Sequence, residues 1–148
     1  MSESIIRPIA AADRSTWEPL WAGYLSFYER TIPQEITDLT WQRLITGDGV
    51  FGLLAFGEDS NAVGLVHFVY HPTTWNSGGN CYLEDLFVAR AARGQRVGRR
   101  LIEAVAEAAK ARGASVLYWQ TEEFNGPARR LYERVAKRSP FIRYQITL

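Results

Sequence analysis

The chain has 148 residues, with 17 Lys plus Arg against 16 Asp plus Glu and a formal net charge of +1 at pH 7. That balance excludes a global field for nucleic acid or anionic lipid, and the single cysteine, Cys81, excludes an internal disulfide. One domain over residues 1–148 is expected, in the cytoplasm, with no membrane span or leader and, with only His67 and His71 beside Cys81, no metal.

Ile5 to Ile9 predicts a short first strand. From Asp13 to Tyr28, the residues Trp17, Leu20, Trp21, Tyr24, Leu25 and Tyr28 recur at helical spacing, and Pro19 places the regular part of that helix late. Pro33 stops it. Ile36, Thr40, Trp41 and Leu44 predict a second, shorter helix ended by Gly47-Asp48-Gly49. Val50 to Phe56 and Ala62 to Tyr70 are β-rich runs joined by Gly57-Glu58-Asp59-Ser60-Asn61, which is hairpin chemistry.

After a polar loop from His71 to Asn80, Cys81 to Val88 predicts the next strand. Gln95 to Arg112 predicts a helix closed by Gly113, and Ser115 to Trp119 a strand after it, together a βαβ-sized unit. Asn125 is placed to cap a last helix with Pro127 in its first turn and Ala128, Leu131, Tyr132 and Val135 on one face. Phe141 to Leu148 predicts a closing strand. The fold class is α/β (α+β), a mixed sheet covered by helices.

Two glycine-rich turns compete as phosphate sites. Gly47-Asp48-Gly49-Val50-Phe51-Gly52 has the letters of a dinucleotide fingerprint, but it ends a helix and enters a strand, the reverse of what that fingerprint needs. The turn Arg93-Gly94-Gln95-Arg96-Val97-Gly98 follows a strand and opens a helix, where free backbone N–H groups and the dipole meet. It lacks the Lys-Ser/Thr pair of an NTPase loop. A pyrophosphate held by amides from about Gln95 to Arg99, with arginines nearby and no metal, suits coenzyme A.

Leu83-Glu84-Asp85-Leu86-Phe87-Val88, the Arg93 to Gly98 turn, Asn125 and Leu131-Tyr132-Glu133 resemble, in that order, the GNAT superfamily of N-acetyltransferases. Within it they are most similar to the branch of diamine, polyamine and histone-acetyltransferase-like enzymes. The resemblance implies a mostly antiparallel twisted sheet with a splayed central parallel strand pair and about four flanking helices. It also implies acetyl-CoA as co-substrate. Arg93 and Gly98 match the phosphate motif, whereas Arg96 stands at its middle glycine; an ordinary helical conformation with an outward side chain is expected there.

By this resemblance the cofactor is held by Leu86, Phe87 and Val88 through unpaired strand backbone, by Arg93, Gly94, Gln95, Arg96, Val97, Gly98 and Arg99, and by Asn125. Tyr132 occupies the position of the general acid to the departing thiolate. An alkyl ammonium of pKa about 10.4 needs a base, and Glu84 is the first candidate. Alternation puts Glu84 and Asp85 on opposite faces of an ordinary strand, but a bulge there aims both into one cleft. Glu84, Asp85, Tyr24 and Trp75 are the candidate acceptor contacts, for a diamine- or polyamine-like amine or a lysine-containing peptide. Cys81 has no activating histidine and is expected to be a buried small residue.

A catalytically silent acyl-CoA-binding sensor or scaffold is the alternative. Nucleic-acid binding is not expected, because no basic stripe interleaves with aromatics. The edge near Phe141 to Leu148 is expected to pair in a homodimer.

Overall fold

The computed structural model describes residues 5–148. Strand β1 (Ile5–Pro8) leads through a 3-10 turn at Ala11–Asp13 into helix α1 (Arg14–Phe27) and helix α2 (Gln34–Thr46). The hairpin β2 (Phe51–Phe56) and β3 (Ala62–His71) follows, then β4 (Asn80–Val88) and a 3-10 turn at Arg90–Ala92. Helix α3 (Val97–Arg112), strand β5 (Val116–Tyr118) and helix α4 (Gly126–Val135) complete the elements. The sheet runs β1-β2-β3-β4-β5, antiparallel until β4 meets β5 in parallel.

Both faces of the sheet are covered, which is why its central strands read as nearly unbroken apolar runs. Leu53, Ala55, Val66 and Phe68 pack with Leu101, Ile102 and Val105 of α3, and α4 adds Leu131, Tyr132 and Val135 to that side. Leu54 and Leu65 face the other way, onto Trp17, Leu20 and Trp21 of α1 and Trp41 and Leu44 of α2. Period-two alternation in the strands thus sorts side chains between two cores.

Three expectations need correction. Helix α1 is regular from Arg14, so Pro19 lies inside it and does not delay it. A proline there removes one helical hydrogen bond, at about 3 kcal/mol in an isolated helix, but burial of Trp17, Leu20 and Trp21 outweighs that loss. Residues 141–148 join no strand: Phe141, Ile142, Tyr144, Ile146 and Leu148 are 74 to 114 % exposed. Their alternating pattern suits a strand, but no edge within the described residues receives it.

The third correction concerns Asn125. It precedes α4, but its side chain makes no capping bond; its amide donates instead to Thr121 Oγ1 at 3.4 Å.

The parallel pair, expected at the centre, lies at one end of the described sheet, because no strand follows on the far side of β5, and it is short. β4 and β5 pair only at Asn80↔Val116, Cys81↔Leu117 and Tyr82↔Tyr118, while β4 continues to Val88 against β3 alone. From Glu84 onward its second edge therefore faces an opening, as the splayed pair requires. The root of the splay is anchored by close backbone approach: a Cβ on Gly78 would lie 1.9 Å from the Gly113 carbonyl oxygen, and Ser115 N–H donates to Gly79 O at 2.9 Å.

Candidate active site

The strand register across β3 and β4 slips at one residue. His67 faces Asp85 and Phe68 faces Leu83, so Glu84 is the extra residue of a β-bulge. The core side chains register the slip: Cys81 and Leu83 face α3, and beyond the bulge Leu86 and Val88 do, while Phe87 joins the α1 side. Strict alternation would turn Asp85 toward α3. The bulge turns it to the α1 face beside Glu84.

On that face Asp85 meets a donor from β3: His67 Nδ1 lies 2.9 Å from Asp85 Oδ2, and the Tyr24 hydroxyl stands beside the same carboxylate. Behind it, Trp17 Nε1 donates to His67 Nε2 at 3.0 Å. Tyr24 stacks on Trp21 with centroids 5.0 Å apart and leans on Tyr28 at 4.8 Å. Burial and the Asp85 charge push the Tyr24 hydroxyl far above its ordinary value.

Glu84 is solvent-accessible at the residue level, yet its carboxyl is pushed above the ordinary carboxylate value. Desolvation within the cleft is the larger cause and the neighbouring Asp85 charge the next, opposed by His67 and Arg143. Both causes make it a better proton acceptor near neutrality.

A cleft of about 260 Å³ lies between the end of α1 and the loop before α4, lined by Phe27, Tyr28, Glu29, Glu122, Phe124 and Asn125. Tyr28 feels both Glu122 and Asp85, so the cleft and the bulge share one field. Tyr132 adjoins it: its ring meets Trp119 edge-on at 5.5 Å, and burial with Tyr28 nearby pushes its hydroxyl up to about 12.

The turn before α3 has the donor set for a pyrophosphate. The first backbone bond of the helix runs from Arg100 N–H to Arg96 O at 3.0 Å, so Val97, Gly98 and Arg99 precede any intrahelical acceptor. No side chain caps this end. Gly94, with φ of 83°, and Arg96, with φ of 63°, both take left-handed conformations that curve successive N–H groups toward one concavity. Around Gly94 a Cβ would meet nothing within 4 Å, which leaves room for a ligand's approach. The expectation of an ordinary helical Arg96 is overturned: it is the left-handed N-cap residue, bearing the unusual dihedrals that glycine takes without strain.

The arginine side chains are largely occupied. Arg93 Nε donates to Val88 O at 3.2 Å while its guanidinium lies over the rings of Phe27 and Phe87, and Arg99 pairs with Glu103 at 3.0 Å. Backbone groups thus dominate the anion site. Leu86, Phe87, Val88, Gly94, Gln95, Val97 and Gly98 lie along the splay and this turn.

Trp75 is not brought to the cleft. Its ring is 91 % exposed on the loop between β3 and β4, where its N–H donates to Thr73 Oγ1. Cys81 is fully buried and its thiol is pushed up to about 11 by desolvation, as suits an inert packing residue. His67 is the residue that sequence reasoning missed. Its signal was an imidazole at an inward position of a strand that must pair beside an acid. The cleft's geometry brings Tyr28 and Glu122 together.

Among the described residues no group of three His, Cys, Asp or Glu side chains is placed to hold a metal ion, and no helix is long and apolar enough to cross a membrane.

A mixed sheet whose parallel pair splays beside a helix start with free backbone donors suits an acyl-CoA-dependent transferase class, and the comparisons agree. The sequence pattern of the Acetyltransferase (GNAT) family matches residues 16–136, so the chain belongs to that family and is an acetyl-CoA-dependent N-acetyltransferase. It is 34 % identical over 143 residues to a D-amino-acid N-acetyltransferase of Saccharomyces cerevisiae, covering 95 % of this chain and 89 % of that one. It is 39 % identical over 75 residues to a thialysine N-epsilon-acetyltransferase of Sus scrofa, covering 51 % of this chain but 42 % of that protein. The fold matches a ribosomal-protein-alanine N-acetyltransferase from Brucella melitensis biovar Abortus 2308 with a TM-score of 0.83 at 23 % identity, over 98 % of this chain and 99 % of that one.

Proposed function

We propose that the chain, acting as one domain over residues 1–148, acetylates a primary amine that carries further positive charge, by direct attack in a ternary complex. Diamine- or polyamine-like molecules and lysine-containing peptides are the acceptor class. The observation that carries this reading is the bulge that brings Glu84 and Asp85 together on the face of β4 that meets the aromatic side chains of α1. Two adjacent carboxylates favour a cation, and the relatives named for D-amino acids and thialysine both act on amines. A buried lone cysteine suits the reducing cytoplasm.

Acetyl-CoA supplies the acetyl thioester. The N–H groups of Val97, Gly98 and Arg99 hold its pyrophosphate, with Gly94, Gln95, Arg93 and Arg96 shaping the turn, and the free edge at Leu86, Phe87 and Val88 offers backbone partners to its arm. Asn125, at the cleft wall, adds an amide partner. Asp85 anchors the ammonium with Tyr24 beside it. Glu84 takes the amine proton, directly or through a water, offsetting the roughly 4 to 5 kcal/mol that deprotonation costs at pH 7. The nitrogen lone pair then forms the C–N bond. As the tetrahedral intermediate collapses the C–S bond breaks, and Tyr132 delivers its phenolic proton to the departing sulfur. The nitrogen's second proton returns to the phenolate, which leaves a neutral amide and free thiol. A strand N–H at the splay stabilises the charge that develops on the carbonyl oxygen.

Having both Glu84 and Tyr132 beside the cleft favours turnover over a silent acyl-CoA sensor. A mass-spectrometric screen of amines with acetyl-CoA tests the reading. Acetylated diamines and lysine peptides are expected; efficient acetylation of neutral or acidic amines with diamines ignored would overturn it. We further propose a homodimer in which residues 141–148 pair as a strand with a second copy, supported by their exposed alternation of Ile142, Tyr144, Ile146 and Leu148 with Arg143, Gln145 and Thr147.

A further inference from the structure

His67 is 1 % exposed, in the middle of β3, and is the rare polar side chain inside the aromatic core under α1. A buried imidazole satisfies both nitrogens or costs stability, so its two partners define its state. The Trp17 indole N–H is a donor only, so His67 Nε2 must be its acceptor, at 3.0 Å. The ring proton therefore sits on Nδ1 and is donated to Asp85 Oδ2 at 2.9 Å. Trp17 itself is fully buried and held in the core, with its ring against Trp21 at 6.2 Å and Trp41 at 5.2 Å.

The line Trp17, His67, Asp85 runs from the rigid core to the surface of the cleft. Its outer end coincides with the bulge, the one place in the strand where the backbone does not by itself dictate side-chain direction. Tyr24 stands beside the same carboxylate from α1. With its donor His67 fixed in turn by Trp17, the carboxylate keeps one orientation beside Glu84, its neighbour in the chain.

We propose that His67 is a positioning residue for acceptor recognition: through its Nδ1–H it aims Asp85 so that this carboxylate anchors the acceptor's ammonium group next to Glu84. This inference rests on the proposed amine acetylation and adds to it the residue that orients the anchor. An unguided carboxylate on a bulge samples several rotamers, and the acceptor would have to select one of them, which weakens its binding. The acetyl-CoA site, on the far side of the splay and built from backbone groups of the turn before α3, does not depend on this line.

Two variants separate aiming from mere packing. In His67→Asn the side-chain amide nitrogen occupies nearly the place of Nδ1 and still reaches Asp85, but the acceptor for Trp17 is lost. In His67→Gln the amide reaches the place of Nε2, so Trp17 keeps an acceptor while Asp85 loses its donor. The full-length protein is assayed with the best amine of the screen, reading KM for acceptor and for acetyl-CoA separately, with thermal unfolding alongside.

The expected result is a rise of about tenfold or more in acceptor KM for His67→Gln, little change for His67→Asn, and an acetyl-CoA KM unchanged in both. In an Asp85→Asn background, changing His67 to Gln is expected to add nothing further to acceptor KM. Tyr24→Phe, which removes the hydroxyl beside Asp85 without touching the core line, is expected to shift acceptor KM in the same direction. If His67→Asn harms acceptor binding as much as His67→Gln, or if Tyr24→Phe and both histidine variants leave acceptor KM alone, the inference is overturned. Failure of the wild-type protein to acetylate any amine would instead overturn the parent reading.

Discussion

Glu84 and Asp85 are neighbours in the chain with different surroundings, and the difference divides their tasks. Asp85 is tied to His67, whereas Glu84 has its carboxyl raised by desolvation and by Asp85. As a base Glu84 must be deprotonated, so kcat/KM is expected to fall as the pH falls through its raised value. The acidic limb of the pH profile should therefore lie above the ordinary Glu value of about 4.3. The groups facing Glu84 are Asp85 and Tyr82 on its own strand, His67 on β3, Tyr24 on α1, Tyr118 on β5 and Arg143. In Glu84→Gln that limb should vanish and kcat drop by roughly 10²-fold or more, read from steady-state rates across pH. Tyr132, with its hydroxyl pushed up to about 12, stays protonated through the working range. Tyr132→Phe is expected to lower kcat by about 10²-fold while leaving acetyl-CoA KM nearly unchanged; an unchanged kcat at saturation would remove it from the leaving-group step.

At the scale of elements, the turn before α3 and the bulge in β4 do most to build the site, and each breaks a local rule. Arg96 in the left-handed region costs about 1 kcal/mol relative to a glycine's freedom there, partly offset because glycine loses more entropy on folding. Arg96→Gly is thus expected to raise stability by about 0.5 kcal/mol, and Arg96→Val, β-branched at positive φ, to lower it by about 1 to 2 kcal/mol. Denaturant unfolding checks both. If Arg96→Val were as stable as the parent, the left-handed conformation would be in doubt. The root of the splay gives a sharper expectation. Gly78→Ala sets a methyl group against the Gly113 carbonyl, where the only relief is backbone movement, so a loss of about 2 kcal/mol or more is expected in the same experiment.

For the molecule as a whole, the open question of partnership falls on residues 141–148. Five large apolar side chains, Phe141, Ile142, Tyr144, Ile146 and Leu148, stand exposed, the last four with strand periodicity, and α4 buries none of its residues fully. A second copy pairing there would cover both. Light scattering is expected to give twice the chain mass for the full protein and the single mass after deletion of residues 141–148. A full-length protein that stays monomeric at high concentration would reject the dimer.

The strands and helices that position the site were legible because their signals are local: short β-rich apolar runs in Val50–Phe56 and Ala62–Tyr70, period 3.6 in Leu101 to Ala109, and Gly113 as a stop. The turn before α3 was legible for the same reason, since strand, glycines and helix start are contiguous. Pro19 was misread because its local cost is outweighed by the burial of Trp17 and Trp21, which no window of sequence contains. Arg96 was misread because the preference of an L residue was weighed without the geometry that a helix start imposes on the residue before it.

By itself, then, the sequence determined the order of elements as far as the last helix and the contiguous strand, glycine turn and helix start, all of which follow from short-range periodicity and steric preference. That the core divides in two across the sheet was visible only in the fold. Only the tertiary structure decided which way Asp85 points, because a bulge is a relation between two strands and not a property of one. The line from Trp17 through His67 to Asp85 spans α1, β3 and β4, and hydrogen bonds across such separations exist only once the sheet has closed on its helices.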